Sequence, residues 1–288
     1  MSVELLEAKP DDFENIFPLF QKYLSRETPK EKIKRFFSNY WKSDEDYCGY
    51  MLKDNYKVVG YLGYFFYNRI ITNETHKFCN IQGWVVEKDY RIEHKMKVME
   101  PVLDMKDYTI IGLNPTKAAY INEKKLGFKN LEDSYFIIPA IGSVKGFIDS
   151  KIKVFNKSED LIQILDGTEK KVMSDHLRFS KLKYAAIAID GILIFIVYTI
   201  RQKKKLPFAE IHYISNLDLF LAEFQPLRSL VSLRLKVFGF FIDKRFLIGK
   251  VFPFMYEYKY PIPNIYISDR LKPHQIDLLY SEKFVLYG

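Results

Sequence analysis

The sequence predicts an α/β protein, in the α+β sense, made of two domains that share one fold. Its 288 residues are more than one domain usually needs. Segments with helical spacing of apolar residues alternate with β-rich segments in both halves. Near the end of the chain, residues 279–283 (LYSEK) also stand where residues 120–124 (YINEK) stand in the first half. These observations favour two copies of one fold over two unrelated domains.

The first half is predicted to begin with a strand and two helices. The strand covers residues 3–8, and apolar side chains recur at helical spacing in residues 10–23 and 30–41. Three β-rich segments then predict a meander: 47–53, 57–67 and 77–86. The remaining predicted elements are a helix at 93–105, a buried strand at 108–113, a helix at 116–125 closed by Gly127, and a strand at 131–139.

The second half follows a glycine-containing segment, residues 142–150, which predicts a linker between domains 1–142 and 150–288. Strands are predicted at 151–155, 208–214 and 264–268, helices at 158–165, 175–182 and 217–235, and a strand pair at 237–247. The apolar run 184–200 is interrupted by Asp190-Gly191, a strong hairpin signal. That run is therefore predicted to be a buried hairpin rather than a membrane span.

Net charge and composition limit which classes of function and partner the chain is expected to have. Lys and Arg number 44 against 36 acids, for a net charge of +8, which fits either an anionic partner or an ordinary solvated surface. The chain has no recognised DNA-binding motif and no stripe of basic residues, since its densest basic run, residues 201–205, is short. DNA is therefore not expected as a partner. No oligomeric state is predicted.

Metal binding and secretion are also not expected. Cys48 and Cys79 are far apart, so they form neither a CxxC metal motif nor a disulfide framework. The five His residues show no ligand spacing, so no metal is predicted. The acidic N-terminus does not look like a signal peptide, and together these features predict a cytoplasmic protein in a reducing compartment.

Two segments resemble the acyl-CoA N-acyltransferase (GNAT) family. Residues 79–91 read CNIQGWVVEKDYR and residues 110–128 read IIGLNPTKAAYINEKKLGF. They are similar to the fourth strand with its acetyl-CoA loop, and to the fifth strand with the helix that ends in E-K-x-G-F. The likeness covers about residues 1–140, and the second half looks like a divergent copy. It implies two tandem GNAT-like domains, each a mixed, mostly antiparallel sheet flanked by helices.

The resemblance also implies a coenzyme A site in the first half, for acetyl-CoA or another acyl-CoA. The matching strand positions are Trp84, Val85 and Val86, whose backbone would bind the pantetheine arm. The matching loop and helix start are Arg91, Ile92, Glu93, His94, Lys95 and Met96. A helix N-terminus beside an Arg is a favourable place for a pyrophosphate. The family's glycines are absent from this loop, so a surface helix cap without a ligand is the alternative.

The catalytic positions depart from the family pattern. Asn114 matches the Asn at the end of the fifth strand, but Glu123 stands where the family commonly has a Tyr that protonates the leaving thiolate. Tyr120, one turn earlier, is the predicted substitute, because a phenol keeps its proton at neutral pH and an ionised carboxylate has none to give; packing is its alternative role. Asn80 and Gln82 occupy the strand where a basic carboxylate is expected, so the sequence supplies no general base.

Three functions remain open from the sequence. The leading hypothesis is an acyltransferase that moves an acyl group from coenzyme A to an amine or hydroxyl of a small molecule. A related hypothesis is a tandem aminoacyl transferase that uses charged tRNA, which the +8 charge would favour. The third is a binding or scaffold protein that has lost catalysis, which the missing glycines, Tyr and carboxylate would favour.

Overall fold

The computed structural model describes residues 3–23, 28–41, 43–142 and 152–287. It confirms the predicted α/β class. The strands are β1 Val3–Glu7, β2 Gly49–Asp54, β3 Lys57–Ile71, β4 Glu74–Val86, β5 Tyr108–Gly112, β6 Lys129–Pro139, β7 Ile152–Phe155, β8 Lys183–Ile189, β9 Ile192–Lys203, β10 Leu206–Ile214, β11 Gly239–Asp243 and β12 Tyr256–Ile267.

The helices are mostly short. They are α1 Phe13–Tyr23, α2 Lys30–Lys34, α3 Arg91–His94, α4 Glu100–Asp104, α5 Lys117–Lys125, α6 Ser158–Ile164, α7 Gly167–His176, α8 Leu217–Leu235, α9 Lys244–Leu247 and α10 Glu282–Tyr287. Single 3-10 turns lie at Pro10–Asp12, Arg35–Phe37, Lys88–Tyr90 and Pro273–Gln275. In the part of the chain that the structure describes, no helix combines the length and apolar character that a membrane crossing requires.

The chain forms two compact units that are not continuous in sequence. Unit 1 contains Met1–Lys129, Asn264–Lys272 and Tyr280–Tyr287, and unit 2 contains Asn130–Pro263 and Pro273–Leu279. The predicted linker lies outside the described residues, apart from Gly142. The predicted limits 1–142 and 150–288 therefore remain a prediction about the sequence repeat, and the compact units divide the chain elsewhere.

Unit 1 contains a mostly antiparallel sheet in the order β1-β2-β3-β4-β5, followed by the end of β12. The only parallel pair among its described strands is β4 with β5. The end of β12 is antiparallel to β5, with Ile265 opposite Gly112. One face of the sheet holds a core of aliphatic and aromatic side chains that includes Leu62, Phe66 and Val102 of α4.

Unit 2 repeats this order of pairing. Its strands run β7-β8-β9-β10-β11 and then β6, beyond which lie residues 256–263 of β12. Again one pair, β10 with β11, is parallel, and the next strand, β6, is antiparallel to β11. The long helix α8 packs on a core that includes Ile196 and Phe240. The Asp190-Gly191 hairpin between β8 and β9 is confirmed, and both of its residues have positive φ.

Each unit takes its sixth strand from the other half of the sequence. In unit 1 that strand is the end of β12, and in unit 2 it is β6. This exchange explains why no single cut in the sequence separates the two units.

Three predicted elements differ in type or position, and others differ in their bounds. The predicted helix 30–41, for example, is α2 Lys30–Lys34 followed by the 3-10 turn Arg35–Phe37. The predicted helix 93–105 is two short helices, α3 and α4, because Pro101 lies in the first turn of α4, where it has no N–H to continue an earlier helix. The predicted helix 175–182 lies earlier, at α7, which follows Asp166. The predicted strand pair 237–247 is one strand, β11, followed by helix α9, because β11 finds its partners in β6 and β10.

Candidate functional site

Strands β4 and β5 separate at one end of their parallel pairing. The last paired residues are Ile81 and Gly112. Strand β4 then continues to Val86 while β5 ends, so the described strands give residues 82–86 no partner on the β5 side. Backbone N–H and C=O groups without a strand partner seek another hydrogen-bonding group. The separation therefore offers a row of backbone groups to a bound molecule.

A bulge in β4 lies at this separation. Opposite β3 the register shifts between the pairs Gly63 with Gln82 and Tyr61 with Val85. Gly83, inside the shift, has φ +64, and a Cβ there would lie 3.0 Å from the ring of Phe20. Both the backbone angle and the close approach require glycine. The bulge re-aims the last residues of β4.

A cleft with about 360 Å³ of open volume lies beside the end of β4. One side consists of Trp84, Val85 and Val86, and the other of residues from the helix α5 and the Thr116 that caps it. Its lining is completed by Tyr23, Arg91, Lys95, Ala118, Ala119 and Asn122. The volume is within the range of small-molecule sites. The small side chains of Ala118 and Ala119 leave the α5 side of the cleft unobstructed.

The cleft has two positive charges at its lining. Arg91 donates from Nε to the Val86 carbonyl oxygen at 2.7 Å, and its guanidinium lies 5.1 Å from the centre of the Tyr23 ring. These contacts fix the guanidinium in place beside Lys95. Such an arrangement suits the paired oxygens of a phosphate group.

Glu87, the acid that directly follows β4, forms ion pairs with two Lys side chains. Glu87 is paired with Lys57 at 2.7 Å and with Lys22 at 3.3 Å. Burial acts to raise the pKa of Glu87, but its hydrogen bonds to the two Lys side chains outweigh burial and lower it. Glu87 is thus ionised and already engaged by cations, so its charge repels an anionic ligand less than an unpaired acid would.

A second cleft in unit 1 has the opposite charge. It has an open volume of about 440 Å³ and is lined by Glu100 and Asp104 together with Tyr47 and Tyr50. Two carboxylates disfavour a phosphate-bearing ligand. Charge therefore selects the cleft beside Trp84 as the candidate site for coenzyme A.

Five of the nine predicted cofactor-binding residues line the cleft, and four do not. Trp84, Val85, Val86, Arg91 and Lys95 are in the lining. Ile92 is 97% exposed, Glu93 and His94 face each other at 3.6 Å, and Met96 packs against the core. Because α3 has only four residues, it supplies little of the helix dipole that the sequence argument assigned to this loop.

The two residues predicted as catalytic lie near α5. Asn114 is exposed, with φ 45, and its backbone N–H donates to Asn264 Oδ1 at 2.7 Å. Tyr120 is half-buried and packs against the unit 1 core. Neither residue is in the lining of the cleft, whereas Ala119 and Asn122 of the same helix are.

Glu123 has an environment that the sequence did not reveal. Its side chain is 4% exposed, and Oε2 has no hydrogen-bond partner among the described residues. Burial raises the pKa of Glu123 to about 7. It follows Asn122 directly and lies one helical turn after Ala119. At neutral pH about half of the Glu123 carboxyl groups thus keep their proton, on the residue that follows Asn122 of the cleft lining.

Sequence reasoning missed the α5 side of the cleft. Thr116, Ala118, Ala119 and Asn122 line it, and Thr116 also caps the helix by accepting from the Ala119 N–H at 3.2 Å. Their spacing on one helix face was a usable signal, but only once the partner strand was known. In the described ranges no three side chains of the His, Cys, Asp and Glu types cluster as metal ligands do.

The fold and the cleft define a class of protein: one with a mixed sheet in which two parallel strands, β4 and β5, separate beside a cleft. Neither a protein-family model nor a curated sequence matches the chain. Solved structures do. A GCN5-related N-acetyltransferase from Anabaena variabilis is 10% identical, with a TM-score of 0.56 over 92% of this chain and 72% of that one. One from Kribbella flavida is 12% identical, with a TM-score of 0.54 over 92% and 70%.

A third similar structure is a conserved protein of unknown function from Enterococcus faecalis, described as a "Probable N-Acyltransferase". It is 12% identical, with a TM-score of 0.58 over 92% of this chain and 72% of that one. At such identities the likeness concerns the fold. The chain has the fold of the GCN5-related N-acetyltransferases, the GNAT fold.

Proposed function

We propose that the chain transfers an acyl group from acyl-CoA, such as acetyl-CoA, to an amine or hydroxyl of a small-molecule acceptor. The observation that carries the proposal is the separation of β4 from β5 beyond Ile81 and Gly112, with a positively charged cleft opening beside it. In this proposal unit 1 holds the acyl donor, and the two halves of the sequence are tandem copies of the GNAT fold.

The residues of the cleft fit the chemical groups of coenzyme A. Arg91 and Lys95 offer charge-assisted hydrogen bonds to the pyrophosphate. The backbone of residues 82–86 offers alternating donors and acceptors to the amides of the pantetheine arm. When bound, acyl-CoA supplies a thioester whose carbonyl carbon is open to attack. A backbone N–H of β4 directed at the thioester oxygen would stabilise the negative charge that develops there.

A proton must reach the departing thiolate, and α5 carries two candidates for its donor. Tyr120, the residue proposed from sequence, packs against the core. Glu123 is favoured by its environment, because burial raises its pKa to about 7 and a neutral carboxyl group can give a proton. At neutral pH about half of the Glu123 side chains therefore carry a proton that they can give.

The cytoplasm is part of the same proposal. Cys48 and Cys79 are buried free thiols in unit 1. Burial raises the pKa of Cys48 to about 12 and that of Cys79 well above its usual value, so neither thiol is reactive. Thiols of this kind suit a reducing compartment.

Calorimetry with acetyl-CoA tests the proposal. Binding should be measurable at millimolar dissociation constants or better, and ligand at 100 times its dissociation constant should stabilise the fold by about 2.7 kcal/mol. Arg91→Ala should weaken binding about ten-fold, since a charge-assisted hydrogen bond is lost. Lys88→Ala, which removes an exposed cation outside the lining, is the matched control.

The outcomes separate the hypotheses. Absence of acetyl-CoA binding would refute the acyltransferase proposal and favour a scaffold or a tRNA-dependent transferase. Binding that is unchanged by Arg91→Ala would remove Arg91 from the site. Binding without turnover for any amine or hydroxyl acceptor would favour a binding protein that has lost catalysis.

A further inference from the structure

A row of buried polar side chains lies on one face of β4, next to the strand separation. Asn80 is 0% exposed and Gln82 is 6% exposed. Residues two apart on a strand point to the same face, so the two amides are neighbours. Asn80 Nδ2 donates to the Ile111 carbonyl oxygen of β5 at 3.1 Å, which fixes its orientation.

The C-terminal segment of unit 1 adds a carboxyl group to this row. The backbone N–H of Glu282, the first residue of α10, donates to Asn80 Oδ1 at 3.4 Å. Asn80 thus accepts from one end of the chain while donating to β5. The part of β4 near the separation, residues 79–86, carries no carboxylate of its own but has one beside it, brought from 202 residues further along the sequence.

Several polar atoms of this row are unsatisfied. Both amide atoms of Gln82 and Oε2 of Glu282 are buried without a hydrogen-bond partner among the described residues. Native proteins rarely retain such groups, because each one is costly to bury, and functional sites are one place where they persist. The row also ends at Gln82, the first residue beyond the paired part of β4 and two residues before Trp84 of the cleft lining.

The charged groups on the neighbouring elements do not neutralise Glu282. Arg35, in the 3-10 turn that contacts α10, donates to the Val285 carbonyl oxygen at 3.3 Å. Arg69 of β3 lies over the Tyr280 ring at 4.8 Å. Among the described residues, Oε2 of Glu282 accepts no hydrogen bond from Arg35, Arg69 or the adjacent Lys283. Burial raises the pKa of Glu282 to about 8, a value suited to exchanging a proton with an amine near neutral pH.

We propose that Glu282 and Gln82 form the acceptor side of the transfer site, with Asn80 as the positioning residue that holds Glu282. The proposed ligand is a small molecule with a primary amine, oriented by the donor and acceptor of the Gln82 amide. This inference rests on the proposed acyltransferase function and adds the general base that the sequence lacked.

The proposed step balances in atoms and charge. The carboxylate of Glu282 takes one proton from the acceptor ammonium, which becomes a free amine. The amine nitrogen forms a bond to the thioester carbonyl carbon and loses its second proton to solvent, and the carbon–sulfur bond breaks. The departing thiolate takes a proton from the donor on α5. Exchange with water then returns both side chains to their starting states.

The test compares Glu282→Gln and Gln82→Leu with the wild-type chain, using acetyl-CoA and a panel of primary amines: an alkylamine, a polyamine and an amino sugar. Thiol release measures turnover, calorimetry measures acetyl-CoA affinity, and thermal unfolding measures Tm. Glu282→Gln should lower kcat about 100-fold. Gln82→Leu should raise the KM for the amine about ten-fold and change kcat less. Lys283→Gln, on the same helix, is the control and should change neither.

A merely structural role for Glu282 and Gln82 predicts that both variants lower the Tm, and the proposed role predicts that they do not. Gln82→Leu removes an unsatisfied buried amide, and Glu282→Gln replaces a buried ionisable group with an uncharged one. The Tm of each variant should therefore equal or exceed that of the wild-type chain, and acetyl-CoA affinity should stay within two-fold. A fall in Tm for both variants, or unchanged kcat in Glu282→Gln, would overturn the inference. So would a wild-type chain that binds acetyl-CoA but neither acylates nor gains Tm with any of the amines. Absence of acetyl-CoA binding would instead refute the proposed function itself.

Discussion

Replacing Glu123 with Gln is expected to stabilise the protein at and above neutral pH and to leave its stability unchanged below pH 4.5. Burial raises the pKa of Glu123 from its usual value of 4.5 to about 7. The native protein therefore holds a proton that the unfolded chain releases between these two values. The stability that this proton contributes is complete below pH 4.5 and is lost as the pH rises through 7.

The size of the effect follows from the same rise in pKa. A change from 4.5 to about 7 corresponds to about 3 kcal/mol of unfolding free energy. The side chain is only 4% exposed, so solvent screening reduces this figure little. Glutamine stays uncharged at every pH. The variant should thus match the wild-type chain at about pH 4 and exceed it by up to about 3 kcal/mol at pH 8.

Urea unfolding at the two pH values measures the difference. The two Trp residues of the chain, Trp41 and Trp84, both belong to unit 1, so their fluorescence reports on the unit that contains Glu123. Glu93→Gln, which removes an exposed carboxylate of the same unit, is the control and should show no such pH-dependent gain. If Glu123→Gln is no more stable than the wild-type chain at pH 8, then Glu123 is not a neutral buried acid. Glu123 would then no longer be a candidate for the proton donor.

Three further predictions concern α5, the bulge and the exchanged strand. Glu123→Gln should lower turnover ten-fold or more, while Tyr120→Phe should do so only if the phenol is the donor; equal activity in both would leave solvent as the acid. Gly83→Ala should cost about 1 to 2 kcal/mol from its positive φ and weaken acetyl-CoA binding, whereas Gly191→Ala, with positive φ but no neighbour within 4 Å of the added Cβ, should leave binding unchanged. The fragment 1–142 should be insoluble or molten by near-UV circular dichroism, because it lacks residues 264–272 and 280–287 of unit 1; sharp, cooperative unfolding of a soluble fragment would contradict this.

Local signals predicted the elements whose partners are near in sequence. The Asp190-Gly191 turn fixes its own hairpin, and helix 217–235 was predicted with its observed bounds. One error arose because the decisive strand partners are distant in sequence. Residues 237–247 looked like a hairpin because their apolar run says nothing of the β6 and β10 partners that make residues 239–243 a single strand.

The residues of the candidate site also divide into those that a local segment of sequence predicts and those that depend on distant contacts. Trp84, Val85, Val86 and Arg91, which line the cleft, were predicted because they lie in one continuous segment that resembles the GNAT family. The raised pKa of Glu123 could not be predicted, since burial is the result of the whole unit rather than of neighbouring residues. The approach of Glu282 to Asn80 depends on a contact between residues 202 positions apart, for which a single sequence carries no local signal.

The exchanged strand has a consequence for synthesis on the ribosome. Residues 1–129 leave the ribosome early, but unit 1 is complete only after residues 264–272 and 280–287 have also been synthesised. Until then the edge of β5 that receives Ile265 is unpaired, and an open strand edge invites association with other chains. Chains that stop before residue 264 would lack this strand and Glu282 together. Translation thus couples completion of the sheet to completion of the proposed acceptor site, and a truncated product would be exposed to chaperones and proteases rather than remain as a partly working enzyme.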